Sequence, residues 1–186
     1  MMAATKVSTG VTLPSDYYLR NYYQANTAAT KASRRKNYSM LELNYEDSRA
    51  LRRASSRITH SNYTEDANVE GLANSVKAYV DTYNNTLTSA SKTPENRRYA
   101  KQLKDLSEKY KDDLSKIGIS IEDDGSLNLN ETYIKTVDAK EIGKLFSKES
   151  EFTKMAGTIS KRMNQATRDT IYANMTGSGQ TINIVL

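Results

Sequence analysis

Residues 120–131 carry the spacing in this chain that comes nearest to a ligand-binding loop. Ser120-x-Glu122-x-Asp124-Gly125-Ser126-x-Asn128-x-x-Glu131 sets oxygen-bearing side chains at the positions of a twelve-residue calcium loop, with glycine sixth and glutamate last. The first ligand of such a loop is aspartate, and here it is serine; Gly118 also interrupts the entering helix. A plain hairpin with an acidic turn is the expectation, with no metal site. Two acid pairs, Asp112-Asp113 and Asp123-Asp124, fall on a wet helix face and in a turn. Neither place shields a carboxyl enough to tune it for proton transfer. His60 is the single histidine and cysteine is absent, which excludes disulfides, thiolate metal sites and histidine-based triads. No glycine-rich phosphate loop, G-x-S-x-G or H-E-x-x-H occurs. These residues point to a chain that is not an enzyme, with no catalytic residues, cofactor or small-molecule substrate.

The elements that hold these residues read as two long helices, a tight hairpin and a short helical return. Val69, Leu72, Val76, Tyr79/Val80, Tyr83 and Leu87 recur at spacings of three and four. Tyr99, Leu103, Leu106, Tyr110, Leu114 and Ile117 repeat that ladder, which predicts one second helix running through to Gly118. The link between them is short, with Pro94 at a first helical position and Thr93 placed to cap. An antiparallel pair follows, each helix roughly 30 Å long at about 1.5 Å per residue. The period then becomes two: Ile119 and Ile121, then Leu127 and Leu129, flank an Asp-Gly turn, the signature of a hairpin. Asn130 is placed to cap a short helix through Tyr133, Ile134 and Val137. Asp138-Ala139-Lys140-Glu141 reads as a capping box before Ile142, Leu145 and Phe146.

The remaining segments read as flanks. Residues 1–38 form a flexible arm, poor in aliphatic side chains, with Gly10 and Pro14 as breakers. Tyr17, Tyr18, Tyr22 and Tyr23 read as anchors for a protein interface, in preference to a stacking platform for single-stranded nucleic acid beside Arg34-Arg35-Lys36. Residues 39–58 suit a cationic helix with Leu41, Tyr45, Leu51, Ala54/Ser55 and Ile58 inward and Arg49, Arg52, Arg53 and Arg57 covering the seam with their stems. Residues 151–174 suit another helix, whose stripe of Phe152, Met155/Ala156, Ile159, Met163 and Ala166 belongs to a helix–helix seam. Met155, Ile159 and Met163 are candidate interaction residues on it. Residues 176–186 form a flexible tail ending in a β-prone hexamer, 181–186. The fold class expected is mainly α: an antiparallel long-helix bundle or coiled coil over 39–175, with a small β-hairpin near 119–129.

Composition suits a thin seam. Hydrophobic residues make up 37% of 186, and mean hydropathy is −0.73. Ten cations against four acids in residues 1–62 give +6, so the rest carries −1 against a whole-chain +5. No apolar run approaches a membrane span, and the start lacks the apolar core of a secretory signal.

Residues 76–146 resemble the C-terminal part of the flagellar hook-associated protein 2 (filament cap) family. The similarity lies in Val76-Lys77-Ala78-Tyr79-Val80-Asp81-Thr82-Tyr83-Asn84, in Leu114-Ser115-Lys116-Ile117-Gly118-Ile119-Ser120-Ile121, in Asp124-Gly125-Ser126-Leu127-Asn128-Leu129-Asn130, and in the run from Val137 to Leu145-Phe146. It covers roughly the middle two-fifths of the chain. The family's large β-rich insert and N-terminal segment have no counterpart. The resemblance implies a non-enzymatic structural or assembly protein of a bacterial flagellum, exported without a cleaved signal peptide and packing its helices against other subunits, itself or flagellar proteins. The competing expectations are a cytoplasmic flagellar chaperone or regulator, and a nucleic-acid binder using the basic N-terminal third.

Overall fold

A reciprocal cap opens the first long helix. Ser39 Oγ accepts the Glu42 N–H, and the Glu42 carboxylate accepts the Ser39 N–H at 2.7 Å. The computed structural model describes residues 35–177, and from Ser39 onward the chain is one unit, distinct from Met1–Tyr38. Tyr17, Tyr18, Tyr22, Tyr23 and the hexamer 181–186 lie outside the described residues. Helix α1 spans Met40–Ile58, α2 Val69–Lys92, α3 Arg97–Lys109 and α4 Lys111–Lys116. Strands β1 (Ile119–Ile121) and β2 (Leu127–Leu129) follow, then α5 (Ala139–Phe146) and α6 (Glu151–Gly177).

Four of these helices close a ring, each antiparallel to the next. Between α1 and α2, Asn44 Nδ2 donates to Thr93 Oγ1 at 2.5 Å and Thr86 Oγ1 to the Asp47 carbonyl at 3.0 Å. Between α2 and α3, Tyr83 OH donates to the Leu103 carbonyl at 2.8 Å and lies 3.1 Å from Ser107 Oγ. Between α3 and α6, Asn96 Nδ2 donates to Thr167 Oγ1 at one end, and the Tyr110 and Phe152 rings meet edge-on at 5.5 Å at the other. Asn164 of α6 donates to the Tyr45 carbonyl and to Ser48 Oγ of α1, while Gly157 faces Ser55. The result is an up-down-up-down bundle with the hairpin and α5 inserted before its last helix. Helices α1 and α6 are therefore half of the bundle expected over 39–175. Much of their contact is polar.

Other expectations change for identifiable reasons. The second helix is not continuous: at Tyr110 (φ −107°, ψ 18°) the N–H turns to the Ser107 carbonyl, and the chain restarts as α4. The bend lets the Tyr110 ring meet Phe152 while Leu114 and Ile117 stay buried. On α1 the buried residues are Asn44, Asp47, Ser48, Leu51, Ser55 and Ile58, with Leu41, Tyr45 and Ala54 only half-buried. Thr93 does not cap the following turn; its hydroxyl donates to Ser89 and accepts from Asn44. Asp138 caps α5 through the Lys140 N–H at 2.7 Å, but Glu141 pairs with Lys144, so the box is incomplete. The helix after Asn130 is a single 3-10 turn, Ile134–Thr136. Helix α6 runs to Gly177, past the expected start of the tail.

The hairpin pairs Ile119 with Leu129, Ser120 with Asn128 and Ile121 with Leu127, so the four aliphatics share a face as the period-two pattern requires. Gly118 (φ 81°) and Gly125 (φ 84°) occupy left-handed backbone at its two bends. A Cβ on Gly118 would lie 2.6 Å from the Tyr133 ring. The Gly118→Ala variant loses roughly 1–2 kcal/mol from the backbone alone, more with the clash, and urea melts at neutral pH measure it.

Burial dominates the ionisation of the inward tyrosines. It raises Tyr63 and Tyr83 from 10.0 to about 12, and pushes Tyr79 up further. A phenol whose folded pKa exceeds its unfolded one stabilises fully below the unfolded value and loses that contribution as pH rises toward the folded value. Thermal melts should therefore be insensitive to these groups up to about pH 10 and fall steeply between about 10 and 12. Phenolate absorbance from these rings should rise only with unfolding.

Candidate interaction surfaces

The groups with possible chemistry are held apart. Ser120 and Asn128 face each other in the ladder, while Glu131 is drawn away to an ion pair with Lys77 on α2. That hydrogen bond holds the Glu131 carboxyl below its usual range and raises Lys77. Asp124 accepts the Ser126 N–H at 2.8 Å, and hydrogen bonds from the Ser126 side chain and backbone lower its pKa. Asp113 pairs with Lys116 at 2.7 Å. His60 is exposed at the end of α1, its Nδ1 2.7 Å from the Ser56 carbonyl. No group of three or more metal-binding side chains occurs among the described residues.

Residues of α2, β2 and α5 build one joint. Asn84, at mid-α2, brackets a single peptide of β2: its Nδ2 donates to the Leu127 carbonyl and its Oδ1 accepts the Leu127 N–H, both at 2.8 Å. This pins the hairpin to the helix at a residue where the ladder cannot supply both bonds. Tyr79 and Phe146 pack edge to face at 5.1 Å, and Phe152 lies 6.0 Å from Phe146 and 6.2 Å from Tyr79. Ring pairs of this geometry contribute about 0.5–1.5 kcal/mol each beyond the area they bury. Tyr63 OH donates to the Ile58 and Phe146 carbonyls, tying the end of α1 to α5.

The candidate interaction residues divide. Ile159 and Met163 are 7% and 0% exposed and belong to the chain's own interior, whereas Met155 is 39% exposed. Four and eight residues further along the helix the stripe has turned inward. Met155 edges a groove of about 540 Å³ between α3 and α6, floored by Leu106 and Ile159 and rimmed by Asp105, Lys109 and Arg162. An apolar floor with a mixed-charge rim is the anatomy of a protein contact. Residues missed by sequence reasoning are the buried polar ones, Asn44, Asp47, Ser48, Thr86, Asn96 and Thr167. Their helical spacing on α1 (44, 47/48, 51, 55, 58) was a signal, but their partners are far away in sequence.

No protein-family model matches this chain, and neither a curated protein nor a solved structure matches it.

Asn84→Ala removes both bonds to Leu127. It should cost about 1–3 kcal/mol and speed amide exchange across Ile119–Leu129, with α1 and α6 protected as before. Unchanged exchange at the Leu127 N–H would show that the amide is not what holds the hairpin.

Proposed function

We propose that this chain is a non-enzymatic structural or assembly protein of a bacterial flagellum, cap-like in type, that works by packing its helices against other protein subunits. The observation carrying the reading is the Asn84–Leu127 joint. It unites two separate stretches of the filament-cap resemblance, the Tyr83-Asn84 helix and the Gly125-Ser126-Leu127 turn, in one contact. Such a joint maintains a shape, and a shape with an apolar groove at Met155 is suited to meeting another surface. None of the described helices is long and apolar enough to cross a membrane.

Two measurements test this. Fractionation of cells making the native chain should recover it with sheared flagella or in the culture medium; recovery only in the cytoplasm would defeat the exported role. Met155→Asp should leave stability within about 0.5 kcal/mol, as surface changes do, while abolishing cross-linking to neighbouring subunits in cells. Undiminished cross-linking would exclude the α3–α6 groove as the contact.

A further inference from the structure

The groove between α3 and α6 is elongated. Its lining on α6 runs from Glu151 to Arg162, about 16 Å along the helix axis. Leu106 and Ile159 floor it, and Met155 stands near its middle, 39% exposed. Gln102, Asp105 and Arg162 on the rim have no side-chain partner among the described residues. A strip of this kind suits an extended segment: apolar side chains go down, and the rim donates to and accepts from peptide groups that need partners.

Residues 181–186, Thr-Ile-Asn-Ile-Val-Leu, have the matching length and pattern. Six extended residues span about 17 Å at about 3.3 Å per residue. Ile182, Ile184 and Leu186 fall on one side of such a segment, and none of the six carries a side-chain charge. The rim sets Asp105 and Glu151 against Lys109, Lys154 and Arg162. That near balance gives no strong field to favour a charged segment over a neutral one.

A chain cannot lay its own hexamer along its own groove. Helix α6 ends at Gly177, about 22 Å beyond Arg162. Thr181 is four residues past Gly177 and reaches at most about 14 Å from it. With the hexamer reversed end for end, Thr181 would have to reach Glu151, which is farther still. We infer that the α3–α6 groove binds residues 181–186 of a second copy of this chain, with Ile182, Ile184 and Leu186 on its apolar floor. The inference rests on the reading of this groove as a subunit contact, and it names what fills it.

Because the chain has no cysteine, an introduced pair reports on one contact. Full-length chains carrying Met155→Cys are mixed with chains carrying Ile184→Cys and oxidised. The expected product is a disulfide dimer of one chain of each kind, identified by mass and in excess of dimers of either variant with itself. Adding Ile182→Asp and Leu186→Asp to the Ile184→Cys chain would bury charges in the groove. It should cut the mixed dimer by about tenfold or more at an unchanged melting temperature. A mixed dimer no more abundant than the others, or one indifferent to the aspartates, overturns the inference. So does a chain carrying both cysteine substitutions that oxidises to a closed monomer. If Met155→Asp abolishes cross-linking in cells while Ile182→Asp with Leu186→Asp leaves it intact, the groove stays a subunit contact and the tail is not its ligand.

Discussion

Three asparagine amides hold the register of the bundle. Asn44 reaches Thr93, Asn96 reaches Thr167, and Asn164 reaches Tyr45 and Ser48, so that all four long helices are tied at one end by side-chain hydrogen bonds. A buried amide without a partner costs about 1–3 kcal/mol. Sliding one helix by a single turn, about 5.4 Å, would strand several at once. Apolar stripes are permissive about such slides, because one leucine fits another's place tolerably well. Buried amides are not, which is how polar groups specify a single alignment at some expense of stability.

The other end is held differently. There Tyr79, Phe146, Phe152 and Tyr110 form a chain of ring contacts between α2, α5, α6 and the α3–α4 bend. Large rings bury more area than the serines and threonines of the opposite end, so this part contributes most of the hydrophobic stabilisation. The hairpin is attached here through Asn84. A two-stranded ribbon is marginal alone in water, and the bracket on Leu127, with Ile119 and Leu127 buried, gives it the support it lacks. Polar specificity at one end and aromatic bulk at the other let a chain of low mean hydropathy keep one fold.

Much of this architecture was legible from residue patterns. The ladder from Val69 to Leu87 became α2, the alternation at Ile119–Ile121 and Leu127–Leu129 became the hairpin, and Gly118 and Gly125 took the left-handed bends. Each of these depends on neighbours within a few residues, where spacing and stereochemistry act directly. The break at Tyr110 was not legible, since Tyr110 fits the ladder as well as Leu106 does. Only Phe152, some forty residues on, gives its ring a reason to turn. Met155 and Met163 looked equivalent on one stripe, and only the packing of α3 and α1 against α6 sends one outward and the other in.

By itself the sequence determined the local elements, the absence of thiol and histidine-triad chemistry, and the net positive charge of the N-terminal third, because these follow from residue type and short-range geometry. Tertiary structure alone decided which faces of α1 and α6 meet, that Asn44 and Asn96 are interior with Asn164 half-buried, and that Arg52, Lys161 and Ser55 line one groove. Those facts rest on pairs of residues remote along the chain. Such pairs carry no periodic mark, and it takes the folded backbone to set one beside the other.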